Sequence, residues 1–335
     1  MQTQYISLRL STMHGTLTVV LLTACIIMMS LLMSSNFTLR EPVCETVPKR
    51  QAYKVLNTRF QGKHHRQPSA RRFDAQITSA DMFEDLGSSQ INATDPRLLK
   101  LLRQKWLLAP SSRPFHLANP EKVHASQIEQ SQVVDRLLEQ RTNGFFVEAG
   151  AANGEIFSNS LFFERFRNWT GLLVEADPWS FHDMAGKHRK SYIINSCLSL
   201  GPHPERTEFT FARELGGISQ TAYVIPTNEQ STLRGKGLPR CFPIHSILAA
   251  LGVTHVDYFS LDVEGAEVEI LKTFPWEDIT VDVWSIEYAV HGGGGDTPKR
   301  LQAIREIFQM TGAYVEVDFP KGQDVLFARK EILGK

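Results

Sequence analysis

Phe145 to Gly154 reads FFVEAGAANG, an apolar run that ends in an acid and passes into small residues. The spacing Glu148-x-Gly150-x-x-x-Gly154 is that of a strand ending in a tight turn laid against a nucleoside. Gly150 keeps a Cβ out of a ligand's path, and Gly154 lets the turn bend back. About twenty residues further on, Gly171 to Asp177 reads GLLVEAD, a second apolar run closed by Glu175. A carboxylate there is placed to accept from both hydroxyls of a ribose. Glu148, Gly150, Gly154, Glu175 and Asp177 are therefore the candidate cofactor-binding residues. Glu148 has two possible roles, orienting the turn or meeting a ligand's amino group.

A third block, VDYFSLDVEGAEVEIL from Val256 to Leu271, puts Asp262 at the carboxyl end of a strand, where open α/β sheets place their chemistry. Glu264 follows, able to take a proton or touch an acceptor. Glu287 ends the next apolar run, and His291 lies beside Gly292, Gly293, Gly294 and Gly295. A histidine titrating near neutrality suits base work. Asp262, Glu264 and His291 are the candidate catalytic residues. Each has a plainer reading. Glu175 and Asp262 can cap the helices that follow, Glu264 and Glu267 can favour a helix's first turn electrostatically, and a lone loop histidine is often solvated.

These residues need a scaffold. After Gly144, apolar strands are expected at 145–149, 171–176, 192–198, 256–261, 281–288, 314–319 and 325–329. Helices are expected at 159–166, 181–188, 244–251, 266–273 and 298–311. The strands are apolar throughout, as when both faces are covered. The fold class is α/β, a doubly wound Rossmann-like sheet of seven strands with an antiparallel edge hairpin. Phe209–Ala212 and Tyr223–Ile225 suggest an inserted hairpin. Upstream, Asp95-Pro96 and Asn119-Pro120 each place a capping residue before a proline and predict a helix, the second running to about Gly144.

Thr16 to Met33 contains no charge and is about long enough to cross a bilayer. We read a signal anchor rather than a cleaved leader, because Met33-Ser34-Ser35 is a poor cleavage site. The expected divisions are a tail at 1–15, a transmembrane anchor at 16–34, a stalk at 35–80, a helical extension at 81–143 and the catalytic-type domain at 144–335. Arg40, Lys49 and Arg50 after the span oppose a cytoplasmic N-terminus. The short tail, sequons at Asn92 and Asn168, and two cysteines, Cys197 and Cys241, able to pair in an oxidising compartment favour a lumenal domain. With 36 basic and 36 acidic residues the formal charge is zero, so nothing argues for nucleic acid. No cysteine or histidine spacing suggests a metal site.

Val256 to Leu271 resembles the signature of the FkbM family of S-adenosylmethionine-dependent methyltransferases, a strand ending in Asp-Val-Glu-Gly-Ala-Glu before a helix. The Glu148–Gly154 turn and the Glu175 strand match the rest of that family's cofactor half, so the resemblance covers about 145–330. Phrases such as NWTGLLVEADP and CFPIHSIL are similar to the arthropod Star-like single-pass membrane proteins. That likeness implies traffic of membrane-bound growth-factor precursors, with residence in endoplasmic reticulum, Golgi and endosomal membranes. The family likeness implies the cofactor S-adenosylmethionine and an O-methyltransferase acting on a small molecule or glycan. The first expectation is the escort role, the alternative the enzyme. An NAD enzyme is disfavoured by the lack of Gly-x-Gly-x-x-Gly and by the edge hairpin.

Overall fold

A computed structural model describes residues 90–219, 221, 233–289, 297–319 and 322–334, all within one compact unit. The expected anchor at 16–34, the stalk, Cys25, Cys44, Tyr223–Ile225 and His291 with its glycines lie outside the described residues. Among those described, no helix is long and apolar enough to cross a membrane.

Helix α1 (Pro96–Leu101) starts where Asp95 accepts from the Arg97 amide at 2.8 Å. It runs into a π-helical turn at Leu102–Trp106 and then into β1 (Leu107–Leu108). Helix α2 spans Gln130–Leu137. Next come β2 (Phe145–Ala149), α3 (Leu161–Phe166), β3 (Thr170–Glu175), α4 (Pro178–Ala185) and β4 (Tyr192–Asn195). Six short strands follow: β5 (Cys197–Leu198), β6 (Glu205–Arg206), β7 (Phe209–Phe211), β8 (Gly217–Ile218), β9 (Gly235–Gly237) and β10 (Arg240–Phe242). The chain continues through α5 (Ile244–Leu251), β11 (His255–Leu261), α6 (Glu267–Lys272), β12 (Thr280–Glu287) and α7 (Thr297–Thr311). It closes with β13 (Tyr314–Val317) and β14 (Asp324–Arg329).

The main sheet has the order β1-β4-β3-β2-β11-β12-β14-β13. β4, β3, β2, β11 and β12 are parallel, and β14 runs antiparallel between β12 and β13. The sheet has eight strands, not the expected seven, because Leu107–Leu108 pairs antiparallel with Ile193–Ile194 at the far edge. Two residues are too few to show an alternation, so nothing in the sequence marked that strand.

The central strands are buried on both faces, and neighbouring residues take opposite sides. Val147, Phe259 and Trp284 join one core with apolar residues of α1, α5, α6 and α7. Phe146, Tyr258 and Val283 join another with residues of α2, α3 and α4. Helices thus cover both sides of the sheet.

Three local expectations need correction. Asn119-Pro120 opens no long helix, and Val123 is exposed. The segment makes only a turn, the Lys122 amide donating to the Asn119 carbonyl at 3.1 Å, and Arg165 takes the Pro120 (2.5 Å) and Lys122 (2.7 Å) carbonyls that a helix would use as acceptors. The strand expected over 192–198 breaks at Ser196, and Cys197–Leu198 crosses into a separate sheet with β10 and β6. Phe209–Phe211 pairs with Gly217–Ile218 and Gly235–Gly237.

The pairing of β5 with β10 sets Cys241 against Cys197, and the two form a disulfide with a Cα separation of 4.3 Å. The bridge spans a sequence separation of 44 residues. Loop-closure entropy for a ring of that size predicts a loss of about 4 kcal/mol on reduction, in the chain-entropy model. The Cys197→Ser/Cys241→Ser protein should therefore denature at clearly lower urea concentration than the oxidised wild type. Equal midpoints would mean that the thiols are unpaired in solution.

Candidate functional site

The carboxyl ends of β3, β2, β11 and β12 meet where the strand order reverses, between β2 and β11. Open α/β sheets form a ligand crevice at this point. Here the crevice is a cleft of about 1140 Å³, counting its solvent-open mouth. Its lining includes Glu148, Gly150, Glu175, Asp262, Glu264 and Glu287.

The turn after β2 is held from several sides. The Gly150 and Ala151 amides donate to the Val174 carbonyl at 3.0 and 3.1 Å. The Ala152 amide donates to Glu175 Oε2 at 2.7 Å, and Asn153 Oδ1 accepts from the amides of Glu155 and Ile156. Gly150 has φ +84°, and a Cβ there would lie 1.6 Å from the Asp262 carbonyl oxygen. Only a glycine lets β2 and β11 approach this closely. Ala152 and Phe157 also hold positive φ, +45° and +59°, a conformation that side chains resist. The turn spends these amides on the protein itself, unlike a loop built to cradle phosphates.

Glu148 is buried and already has three donors. It accepts from Ser158 Oγ (2.9 Å), the Asn159 amide (2.7 Å) and Ser160 Oγ. Of its two expected roles, the geometry favours orienting the loop. Burial raises its pKa, opposed by Arg189 and these hydroxyl and amide donors. Arg189, 2 % exposed, joins the same network through Glu164 (2.9 Å), Ser160 Oγ (2.9 Å) and the Gly154 carbonyl.

Glu175 ends β3 one strand from Gly150, with Oε1 accepting from the Asp177 amide and Oε2 from the Ala152 amide, both at 2.7 Å. Each oxygen keeps a lone pair for a ligand hydroxyl. Gly154 and Asp177 stand outside the cleft wall. A Cβ at Gly154 would meet Met184 Cγ at 2.7 Å, so that glycine serves helix packing. Asp177 is the N-cap of α4, accepting from Trp179 (2.9 Å) and Ser180 (3.2 Å), and it also takes the Arg213 amide at 3.1 Å.

Asp262 follows β11, its amide donating to the Ala149 carbonyl at 3.0 Å. Burial pushes its carboxyl up to about 7, reinforced by Asp324 and Glu267. Glu264 lines the cleft with φ +56°, strain of the kind that clusters at functional sites. Glu267 is fully buried and structural. It accepts from the amides of Val263 (2.8 Å) and Gly265 and pairs with Arg300 at 2.5 Å. Glu287 is buried, and its pKa is raised by that burial and then by Asp262, Glu264 and Glu267. His291 is outside the described residues.

Sequence reading noted Glu287 without giving it a role and passed over Asn159 and Ser196, whose oxygens best report a ligand. Asn159 Oδ1, Ser196 Oγ and Glu287 Oε2 are buried and lack a hydrogen-bond partner among the described residues, and all three residues line the cleft. Buried acceptors without donors are costly unless something supplies them. The ammonium, adenine amine and ribose hydroxyls of S-adenosylmethionine are such donors. Together with the Gly150 approach, this donor-hungry cleft fits that cofactor.

Fold and cleft define an α/β methyltransferase of Rossmann-like architecture. Residues 148–328 match the model of the methyltransferase FkbM domain, more than half of the chain, and the chain belongs to that family. S-adenosylmethionine is the cofactor of this class. No curated protein matches the sequence. Among solved structures, a TehB-like SAM-dependent methyltransferase from Corynebacterium glutamicum is 10% identical, covering 64% of this chain and 91% of its own, with TM-score 0.33. The human methyltransferase 10 domain containing protein is 12% identical, covering 71% and 96%, with TM-score 0.33. Precorrin-6y C5,15-methyltransferase from Geobacter metallireducens is 11% identical, covering 65% and 100%, with TM-score 0.31. Likenesses at this level say nothing about substrate.

The buried acids predict a pH dependence. Burial pushes Glu175 up to about 8, with Asp177 nearby, and pushes Asp324 up to about 6. Both folded values exceed the ordinary carboxylate values. The folded protein therefore keeps these protons while the unfolded chain releases them. The stability they contribute is fully present below about pH 4 and is lost as pH rises through 6 and then 8. Without cofactor, the melting temperature should fall between pH 5 and 8.5, and less steeply in Glu175→Gln. A melting temperature that climbs through this window would contradict the assignment.

Proposed function

We propose that the protein is an S-adenosylmethionine-dependent O-methyltransferase that acts on hydroxyl groups of a small molecule or glycan. The observation that carries this reading is the cleft of unsatisfied buried oxygens facing the Gly150 turn. Asn159, Glu175, Ser196 and the backbone of the turn would hold the cofactor, which supplies when bound a methyl already activated on a sulfonium. The protein's own tasks are alignment and proton removal. Asp262 faces the acceptor from the end of β11, and Glu264 takes the acceptor's hydroxyl proton. Exposed Ile156 and Phe157 at the cleft lip shield the site from water.

We place this enzyme in the secretory lumen, anchored by residues 16–34. The Cys197–Cys241 bridge and the exposed asparagines of the sequons at Asn92 and Asn168 support that reading. The same compartment suits the Star-like escort of growth-factor precursors, the second reading. The family match favours the enzyme, and neither the fold nor the comparisons add support for the escort.

The test pairs topology with transfer. Expressed in animal cells, the protein should shift on removal of N-glycans at Asn92 or Asn168. With labelled cofactor, permeabilised microsomes should methylate added sugars, and Glu264→Gln should lower the rate by about 10²–10⁴-fold, the range for a general base. Transfer that is unchanged in Glu264→Gln would end the proton assignment. A glycosylated protein with no transfer would favour the escort.

A further inference from the structure

The floor of the cleft gathers more carboxyl groups than a methyl transfer needs. Asp262, Glu267 and Glu287 bring carboxylate oxygens within 4.8 Å of one another. They are not equivalent. Glu267 is engaged on both oxygens, by the amides of Val263 and Gly265 and by Arg300. Asp262 and Glu287 both line the cleft instead. Glu287 is only 6 % exposed, and its Oε2 has no partner among the described residues. Asp262 and Glu287 also hydrogen-bond to each other, and two buried carboxyls this close hold a proton between them, a place that a divalent cation can take with release of the proton.

The donor set narrows which one. Carboxylate oxygens are hard ligands, suited to Mg²⁺ and Mn²⁺ rather than to soft metals. Mg²⁺ is commonly held by one or two carboxylates and completes its octahedron with water and substrate oxygens. Two carboxylates open to a cleft on one side match that habit, and Glu267, tied to Arg300, acts as a wall rather than a ligand.

We propose that Asp262 and Glu287 form a divalent-cation site in the floor of the cleft, taking Mg²⁺ or Mn²⁺, whose remaining positions are filled by water and by hydroxyl oxygens of the acceptor. The inference rests on the methyltransferase reading for the identity of that acceptor. It selects acceptors with two neighbouring hydroxyls, such as a sugar or catechol-type diol, because only these chelate the ion. The ion also gives Asp262 and Glu287 a joint role, positioning the acceptor beside Glu264.

The experiment uses the full chain in detergent, stripped with EDTA and titrated with Mn²⁺ at pH 7.5 with and without S-adenosylmethionine. Free Mn²⁺ is read by electron paramagnetic resonance. One Mn²⁺ should bind per chain and be displaced by Mg²⁺. Glu287→Gln and Asp262→Asn should each weaken it at least tenfold. A second acidic group, His255, Asp257 and Asp282, lies at the opposite ends of β11 and β12, already bridged by Arg141. His255→Ala should therefore leave Mn²⁺ binding unchanged. The proposal is overturned by wild-type protein that takes up no Mn²⁺ while binding S-adenosylmethionine, or by binding lost in His255→Ala and kept in Glu287→Gln. Cofactor heat measured on the same samples separates this failure from failure of the methyltransferase reading, and shows whether Glu287→Gln is folded.

Discussion

Alanine at Gly150 should abolish cofactor binding and destabilise the domain by about 3–5 kcal/mol, the upper end for a single substitution. The added Cβ would sit 1.6 Å from the Asp262 carbonyl oxygen and 2.8 Å from its carbon. Neither neighbour can give way easily. The Asp262 amide is bonded to the Ala149 carbonyl, and the Gly150 amide to Val174. The φ of +84° adds strain for any side chain. In a domain of this size the melting temperature should fall by about 10 °C. Wild-type melting and cofactor affinity in Gly150→Ala would show that β2 and β11 do not approach as described.

Arg189→Met should cost about 3–5 kcal/mol, because it strands buried anions. Arg189 and Glu164 have fully buried side chains paired at 2.9 Å, and the same guanidinium supports Ser158, Ser160 and thereby Glu148. The energetic effect comes from the charges left behind more than from the lost bonds. Adding Glu164→Gln to Arg189→Met should therefore recover part of the loss in urea denaturation. An additive double variant would mean that the two residues act independently. Loosening Ser158–Ser160 should also weaken cofactor binding, since Asn159 lies between them and lines the cleft.

The sheet was legible because its strands are buried on both faces and so read as continuous apolar runs. Phe145–Ala149 and Ile244–Leu251 were placed to the residue. Glu148, Gly150, Glu175, Asp262 and Glu264 reach one cleft because strand ends in a parallel sheet share one edge. What failed was local chemistry overruled from a distance. Asn119-Pro120 carries the signal of a helix start, yet Arg165, over 40 residues away, takes the Pro120 and Lys122 carbonyls. Asp177 has the position of a ligand residue and the job of a helix cap. Asn159 read as the start of a helix, and Arg189 drew no reading at all. The roles of Ser158, Asn159 and Arg189 arise from partners 10 to 101 residues away, which no periodicity records.

The central claim is that this cleft holds S-adenosylmethionine. Isothermal titration calorimetry of the full chain in detergent, with S-adenosylmethionine as titrant, tests it most directly. We expect one site per chain with a dissociation constant between about 1 µM and 1 mM, the usual range for enzyme substrates. Glu175→Ala should weaken it by about 1–3 kcal/mol, the scale for hydrogen bonds to a buried acceptor. Folded wild-type protein that gives no saturable heat, or Glu175→Ala that binds as wild type does, would contradict the account.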